Sequence, residues 1–315
     1  MFERYAPNHY SKNAAKITLP KFNWRKMKMR SYLRVFLFTA LWVGLSAAQV
    51  VQPPSWRQPA EPFRIVGNLY YVGSADLTSY LFVTPKGDIL LDSGVPENVT
   101  MIWANVEKLG FQLKDVKILL NSHAHFDHAG GFAEVKKITG AKLFASAGDA
   151  PELARGGRDD FAFGNRYNYP PIKADRIIAD GEKIELGGTT LTAHLTPGHT
   201  RGCTTWSAKI SEGSKTYNVV FVCSVTFPGY KLVNNPKNPT LIAQYQRSFK
   251  VLRSLPCDIF LASHGSFFNL PDKMAELKKN PSNNPFINPK EYRQFLDRSQ
   301  AAFEEEVKKE KQAGH

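Results

Sequence analysis

Three histidines and an aspartate lie within six residues of one another in this chain, at His123, His125, Asp127 and His128. Imidazole and carboxylate groups are ligands that a borderline-soft ion such as Zn²⁺ prefers in proteins. A catalytic zinc ion keeps one position open for water, so four such side chains are too many for a single open site. The spacing therefore predicts two metal ions rather than solvated histidines on a surface loop.

Two further histidines stand in matching contexts farther along the chain. His199 follows an apolar strand in a Pro-Gly turn, and His264 ends another apolar strand. Either one alone is weak evidence, because a histidine at a strand end usually serves as a structural hydrogen-bonding group. With the first cluster they make five histidines and one aspartate, enough for two open metal centres. His194, inside a strand, is interpreted as structural, and His315 as part of the tail.

The histidine-rich run must be positioned by the elements on either side of it. It follows a continuous apolar strand over residues 116–121, at the strand end where α/β folds tend to place ligands. The Gly130-Gly131 pair lets the chain bend tightly into a helix predicted over 129–139. Groups of short strands are followed by helices twice along the chain, so we expect one α/β domain whose helices cover two sheets.

A long loop and a C-terminal helix are the other segments with a candidate role. The loop over 156–174 is rich in Gly, Pro and aromatic residues and is long enough to suggest a functional flap. Its rings Phe161, Phe163 and Tyr167 either cover a substrate or pack the loop against the protein. A C-terminal helix over 289–312 carries an apolar stripe, which is expected to pack on the domain.

The 315 residues carry a formal charge of +13, which would ordinarily suggest a nucleic-acid or membrane partner. Residues 1–48, however, hold nine basic side chains against one acidic, or +8, which leaves +5 for residues 49–315. We therefore expect no nucleic-acid partner. Any remaining positive field would help to attract an anionic substrate.

Residues 1–48 have the pattern of a secretory leader. The apolar run 35–45 follows basic residues and precedes Ser46-Ala47-Ala48, as in a signal peptide cleaved after Ala48. Eleven apolar residues are too few to span a bilayer, and the alternative is an uncleaved anchor. Translation from Met27 or Met29 would give a leader of more usual length. We expect an exported periplasmic protein without stable membrane association, in which residues 49–315 form a single domain.

Export permits disulfide bonds, and residues 49–315 contain three cysteines. Strands predicted over 203–210 and 217–225 form a hairpin that places Cys203 opposite or nearly opposite Cys223, within disulfide reach. A register shift of one residue would remove that bridge. Cys257 would be left free.

The motif His123-X-His125-X-Asp127-His128, followed by His199 and His264, resembles the metallo-β-lactamase superfamily from about residue 65 to 264. The resemblance implies an αββα sandwich of two mixed sheets with a dinuclear zinc site at one edge. By position, His123, His125 and His199 would bind the first zinc ion. Asp127, His128 and His264 would bind the second.

The residues around the motif also indicate which subfamily the chain resembles. Glyoxalase II, lactonases and RNA-processing nucleases usually add a bridging aspartate after the hairpin, whereas residues 219–226 contain no carboxylate. Subclass B3 β-lactamases carry the histidine equivalent to His128 and a serine where other subclasses have a cysteine ligand. Cys223 and Ser224 alternate in direction along a strand, so Ser224 would face the metals. Ser224 and Thr226 match the hydroxyl pair that holds the substrate carboxylate, although the family more often has serine at the second position.

The similarity to subclass B3 implies a zinc hydrolase that opens penicillins, cephalosporins and carbapenems and so confers antibiotic resistance. A hydroxide shared by the two metals would attack the lactam carbonyl, with Asp127 steering it and His123, His125 and His199 completing the catalytic set. We expect a monomer. The alternatives are a hydrolase of the same superfamily acting on another ester, a lactone or a phosphodiester, and a binding protein that has kept the fold.

Overall fold

The computed structural model describes residues 52–314, which hold twelve β-strands in two sheets and seven α-helices. The expected leader over 1–48 lies outside the described residues. Among the residues that are described, no helix is long and apolar enough to cross a membrane.

The first sheet contains seven strands that follow one another in chain order. Neighbouring strands are antiparallel from the first to the fourth strand and parallel from the fourth to the seventh. The strands are β1 (Phe63–Val66), β2 (Leu69–Tyr71), β3 (Tyr80–Phe82), β4 (Asp88–Leu91), β5 (Val116–Leu120), β6 (Lys142–Ser146) and β7 (Arg176–Ile178).

The second sheet contains five strands in the spatial order β12, β11, β10, β9, β8. All of its pairs are antiparallel except β11 with β12, so both sheets are mixed. The strands are β8 (Lys183–Leu186), β9 (Thr189–Leu195), β10 (Thr204–Glu212), β11 (Lys215–Val222) and β12 (Ile259–Ala262).

The seven helices lie outside the two sheets or in the connections near the sheet edge. They are α1 (Asn98–Lys108), α2 (Phe126–Ala129), α3 (Phe132–Thr139), α4 (Ala150–Arg155), α5 (Leu241–Ser254), α6 (Leu270–Lys279) and α7 (Pro289–Ala313).

Burial on both faces explains the near-continuous apolar sequences of the central strands β3, β4 and β12. On β3, Tyr80 and Phe82 point between the sheets, where their rings meet Phe221 of β11 with centroids 5.1 and 5.4 Å apart. Leu81 points the other way, into a second cluster formed with the apolar faces of α1 and α3. Helices α5 and α7 cover the second sheet, for example through Phe295 on Phe260 at 4.8 Å. The expected αββα sandwich is confirmed.

Several predicted boundaries were wrong in detail. The apolar run 65–72, whose composition predicts a single strand, contains parts of two strands that form a hairpin, because Gly67 takes a positive φ of 51° at the turn. The helix predicted over 129–139 is two helices, α2 and α3, separated by Gly130-Gly131. Helix α6 was not predicted, although Leu270, Met274 and Leu277 form a short apolar stripe that packs on the core. The stripe on α7 packs inward as expected.

A disulfide bond joins Cys203 to Cys223, across 20 residues of sequence. In the β10–β11 pair Trp206 lies opposite Phe221, a register that puts Cys203 within one residue of facing Cys223. Their Cα atoms are 5.9 Å apart, and both side chains are fully buried. Cys257 is free, as expected.

Replacing both bridged cysteines with alanine is expected to lower the free energy of unfolding by about 3 kcal/mol, because the open loop gains entropy in the unfolded chain. Urea denaturation of the metal-loaded protein measures this. The Cys257→Ala variant is the control, since it removes a thiol but keeps the bridge. Equal urea midpoints for the double variant and the wild type would show that the bridge adds no stability.

Candidate metal centre

The chain turns sharply after β5, and two buried aspartates from other elements hold this turn. Asp92, which follows β4, accepts hydrogen bonds from the backbone N–H and the hydroxyl of Ser122 at 2.8 and 2.5 Å. Asp149 accepts one from the N–H of Ala124 at 3.0 Å and another from that of Gly202 at 2.8 Å. Asp149 thereby joins the turn after β5 to the turn that carries His199.

The first group of possible ligands consists of His123, His125 and His199. One nitrogen from each ring lies within 4.8 Å of the others, and all three side chains are buried. His125 Nδ1 is 3.0 Å from His199 Nε2, too close for two ring nitrogens unless a proton or a cation lies between them. His123 Nε2 is buried without a partner beside this pair.

The second group lies directly beside the first. Asp127 Oδ2 is 3.3 Å from His128 Nε2 and 3.4 Å from His264 Nε2, and these two nitrogens are 3.2 Å apart. The His123 ring is 4.1 Å from the His128 ring, centroid to centroid, so the two groups are contiguous. All six predicted ligand residues therefore meet at one edge of the two sheets.

In three of the five histidines, the outer ring nitrogen lies within hydrogen-bonding distance of an oxygen, and in His125 and His128 it faces a carboxylate oxygen 3.7 Å away. Such outer acceptors fix the ring orientation of metal-binding histidines and set their tautomer. The pairs are His123 Nδ1 with Ser122 Oγ at 3.0 Å, His125 Nε2 with Asp160 Oδ2 at 3.7 Å, His128 Nδ1 with Asp92 Oδ2 at 3.7 Å, His199 Nδ1 with the Thr226 carbonyl at 2.8 Å and His264 Nδ1 with Asp76 Oδ2 at 3.0 Å.

The pKa shifts leave two of the histidines neutral and the aspartate ionised, as metal binding requires, whereas His264 holds a proton. Burial, together with the neighbouring histidines, holds the pKa values of His123 and His199 well below the ordinary value, so both rings are neutral near pH 7. Burial opposes ionisation of Asp127, but the nearby His128 and His264 lower its pKa well below the usual range. Although burial lowers the pKa of His264, hydrogen bonds to Asp127 and Asp76 raise it to about 9. A bound cation would replace that proton.

The donors present fit zinc. Five imidazoles and one carboxylate converge, their outer nitrogens face acceptors, and a buried inner nitrogen of His123 has no protein partner. Imidazole and carboxylate are the ligand types of catalytic zinc sites.

The Gly130-Gly131 pair is needed for close packing rather than for an unusual backbone. Gly130 has a helical φ of −59°, whereas the sequence suggested that the pair lets the chain bend tightly. A Cβ on Gly130 would lie 2.5 Å from the Phe126 carbonyl oxygen, and one on Gly131 would lie 2.7 Å from the Ser93 oxygen. The second approach keeps the strand end at β4 against the start of α3.

Two predicted substrate-binding hydroxyls lie next to the first group. Ser224 Oγ is 3.1 Å from Thr226 Oγ1, which is 3.3 Å from His199 Nδ1. Cys223 points away from them into its disulfide, as the alternation along the strand predicted. Tyr230, on the same loop, stacks on the His199 ring at 6.0 Å and donates its hydroxyl hydrogen bond to the His199 carbonyl.

The loop over 156–174 is packed down at one ring and borders the site at another. Phe161 is buried in the core, so this ring packs the loop against the protein. Phe163 is only partly buried and lies 5.2 Å from the His125 ring, with Tyr167 5.4 Å beyond it. Asp160, on the same loop, supplies the oxygen that faces His125.

Sequence reasoning found the inner residues and missed most of the outer ones. Asp76, Asp92, Asp149, Asp160 and Tyr230 were not singled out. The sequence offers a partial signal in Asp92, a charged residue directly after the buried strand β4. His194 lies outside the site and hydrogen-bonds Ser207 at 2.7 Å.

Comparison with known proteins gives one family. The family model described as the metallo-β-lactamase superfamily matches residues 77–264. Among solved structures, the native FEZ-1 metallo-β-lactamase from Legionella gormanii is 47% identical with a TM-score of 0.79, covering 81% of this chain and 98% of that one. BJP-1, a subclass B3 metallo-β-lactamase of Bradyrhizobium japonicum, is 37% identical with a TM-score of 0.78, covering 83% of this chain and 99% of that one.

The curated relatives carry a different name. A hydroxyacylglutathione hydrolase from Hyphomonas neptunium is 31% identical over 156 residues, covering 49% of this chain and 52% of that protein. Another, from Rhodospirillum rubrum, is 32% identical over 107 residues, covering 34% of each. The chain thus spans about half or less of the length of these curated relatives.

Proposed function

Because this chain belongs to the metallo-β-lactamase superfamily, we propose that it is a zinc enzyme that hydrolyses the amide bond of β-lactam antibiotics. The observation that carries the proposal is the pair of contiguous His/Asp groups, with the hydroxyls of Ser224 and Thr226 beside the first group and no carboxylate over residues 219–226. The similarity to a subclass B3 enzyme over most of this chain supports the same function.

In this proposal, His123, His125 and His199 hold one zinc ion, and Asp127, His128 and His264 hold a second. Zinc in such sites acts as a Lewis acid and lowers the pKa of water to near 7, which supplies a nucleophile at neutral pH. The acceptors behind the rings place the N–H of a neutral imidazole on its outer nitrogen, which leaves the inner nitrogen free to bind a metal.

The remaining groups orient the substrate and handle protons. Asp127 presents Oδ2 between His128 and His264, where a carboxylate can accept a hydrogen bond from the nucleophile and steer it. The hydroxyls of Ser224 and Thr226 can donate to the carboxylate that β-lactams carry. Phe163 offers an apolar face beside His125 and helps to exclude water from that side.

We also propose export to the periplasm, with residues 1–48 as a cleaved leader. The buried Cys203–Cys223 disulfide supports this location, since such bonds persist in oxidising compartments. We propose a monomer acting on small molecules.

A substrate panel with and without a chelator tests the function. Purified protein is offered a penicillin, a cephalosporin, a carbapenem, an acyl-homoserine lactone, a hydroxyacylglutathione thioester and a phosphodiester. We expect ring opening of the β-lactams, loss of the activity when zinc is removed, and its return when zinc is added back. Unchanged β-lactam hydrolysis after complete zinc removal would contradict the mechanism.

A thioesterase is the second candidate, because the curated relatives are named hydroxyacylglutathione hydrolases. Against it, residues 219–226 contain no carboxylate that would bridge two metals as in glyoxalase II. Faster turnover of the thioester than of every β-lactam in the same panel would favour this candidate.

A further inference from the structure

The C-terminal helix α7 is hydrogen-bonded to the loop that follows β11. The two carboxylate oxygens of Glu310 accept hydrogen bonds from consecutive backbone amides, one from Leu232 N–H at 3.0 Å and one from Val233 N–H at 2.8 Å. The loop has neither helix nor strand between residues 223 and 240. Leu232 is buried, so its amide would be costly to leave without an acceptor.

The same loop, over residues 224–233, carries the hydroxyls beside the metal centre. Ser224 and Thr226 stand at its start, and Tyr230 bonds to the His199 carbonyl at 2.7 Å. Tyr230 and the two amides bound by Glu310 are separated by only one residue. A shift of the loop at α7 therefore reaches the groups that face the substrate.

The helix touches the loop at a second place. Phe227 lies 6.1 Å from Phe303 of α7, and Phe303 lies 5.0 Å from Tyr245, whose hydroxyl donates to the Thr226 carbonyl at 2.6 Å. Beside this contact, a groove of about 540 Å³ lies between the loop and the helix, lined on the helix side by Ser299, Ala302 and Glu306.

We propose that Glu310 is a positioning residue for substrate binding, which acts by fixing loop 224–233 over the metal centre. The inference rests on the proposed function for its substrate. A charged acceptor shared by two adjacent amides holds a loop more firmly than neutral contacts, since charge-assisted hydrogen bonds are about twice as strong. If Glu310 served only to attach the end of the helix, its loss would change stability and leave substrate binding alone.

The test compares Glu310→Gln and Glu310→Ala with Glu305→Gln, a substitution at an exposed position of the same helix. Glutamine keeps one acceptor oxygen and sets a donor against the other amide, whereas alanine removes both acceptors. Hydrogen exchange of the peptide over residues 226–235 reads the loop directly. KM and kcat for a β-lactam, zinc content and thermal unfolding are measured on the same zinc-loaded proteins.

We expect faster exchange in that peptide for both Glu310 variants, with a KM raised roughly tenfold, kcat within about twofold and zinc content unchanged. Glu305→Gln should match the wild type. Unchanged exchange, or faster exchange with an unchanged KM, would overturn the proposal. If the wild type opens no β-lactam, the proposed function fails separately. The exchange and the KM for whichever panel substrate is turned over then decide the role of Glu310.

Discussion

Replacing His199 with alanine is expected to lower kcat/KM for β-lactam hydrolysis by about a thousandfold or more and zinc content from about two ions per chain to about one. His199 completes the first group, with Nε2 3.0 Å from His125 Nδ1. Its loss leaves two imidazoles, which is one ligand short of a catalytic zinc site. Loss of Lewis-acid stabilisation worth several kcal/mol corresponds to a rate loss of this size.

His194→Ala is the matched control. His194 is also a histidine near the end of β9, but it contacts Ser207 and lies outside both groups. We expect it to keep its zinc and its activity. Elemental analysis of the purified variants and steady-state kinetics measure both effects. Full zinc content in the His199→Ala protein would remove His199 from the proposed ligand set.

The inner residues of the site could be predicted because their signal is local. His123, His125, Asp127 and His128 fall in one short run, and His199 and His264 lie in the turns that follow two strands, where α/β sheets collect functional groups. Many His and Asp residues close together after strands are seldom needed for folding alone, so their clustering indicates a metal site.

The outer acceptors could not be predicted because their signal is not local. Asp76 meets His264 across 188 residues of sequence, and Asp92 meets His128 across 36. Each is an ordinary loop carboxylate until the sheets are paired. Asp149 is similar, since its three hydrogen bonds join two turns that only the folded protein brings together.

The elements of the fold also divide into those that a local sequence pattern predicts and those that it does not. Apolar runs predicted the strands and the amphipathic stripe of α7, because burial requires those patterns. Helix α6 is harder to predict because its apolar stripe has only three members, Leu270, Met274 and Leu277, and its other buried side chain is Lys273, which pairs with Glu291 of α7. A buried ion pair adds nothing to the apolar pattern of a sequence.

Asp160 is the outer acceptor whose role can be tested most cleanly, because one of its carboxylate oxygens contacts the loop backbone and the other faces His125. Oδ1 accepts hydrogen bonds from the backbone N–H groups of Ala162 and Phe163 at 2.7 and 2.5 Å and so shapes the loop. Oδ2 is buried, has no other partner, and faces His125 Nε2 at 3.7 Å. Glu152 lies beside them, and its pKa, raised by burial to about 8, keeps it neutral near pH 7.

Asp160→Asn should therefore separate the loop from the metal site. The asparagine oxygen can keep both loop amides while its NH₂ group replaces Oδ2, so that a donor faces the N–H of His125. We expect the loop and the fold to persist, with zinc affinity and kcat/KM each lowered about 10- to 100-fold, the usual effect of losing an outer acceptor. Competition with a chromophoric chelator measures the affinity, and Asp159→Asn, at the exposed neighbouring position, is the control. Unchanged zinc affinity in Asp160→Asn would mean that His125 needs no carboxylate behind it, and Asp160 would then serve the loop alone.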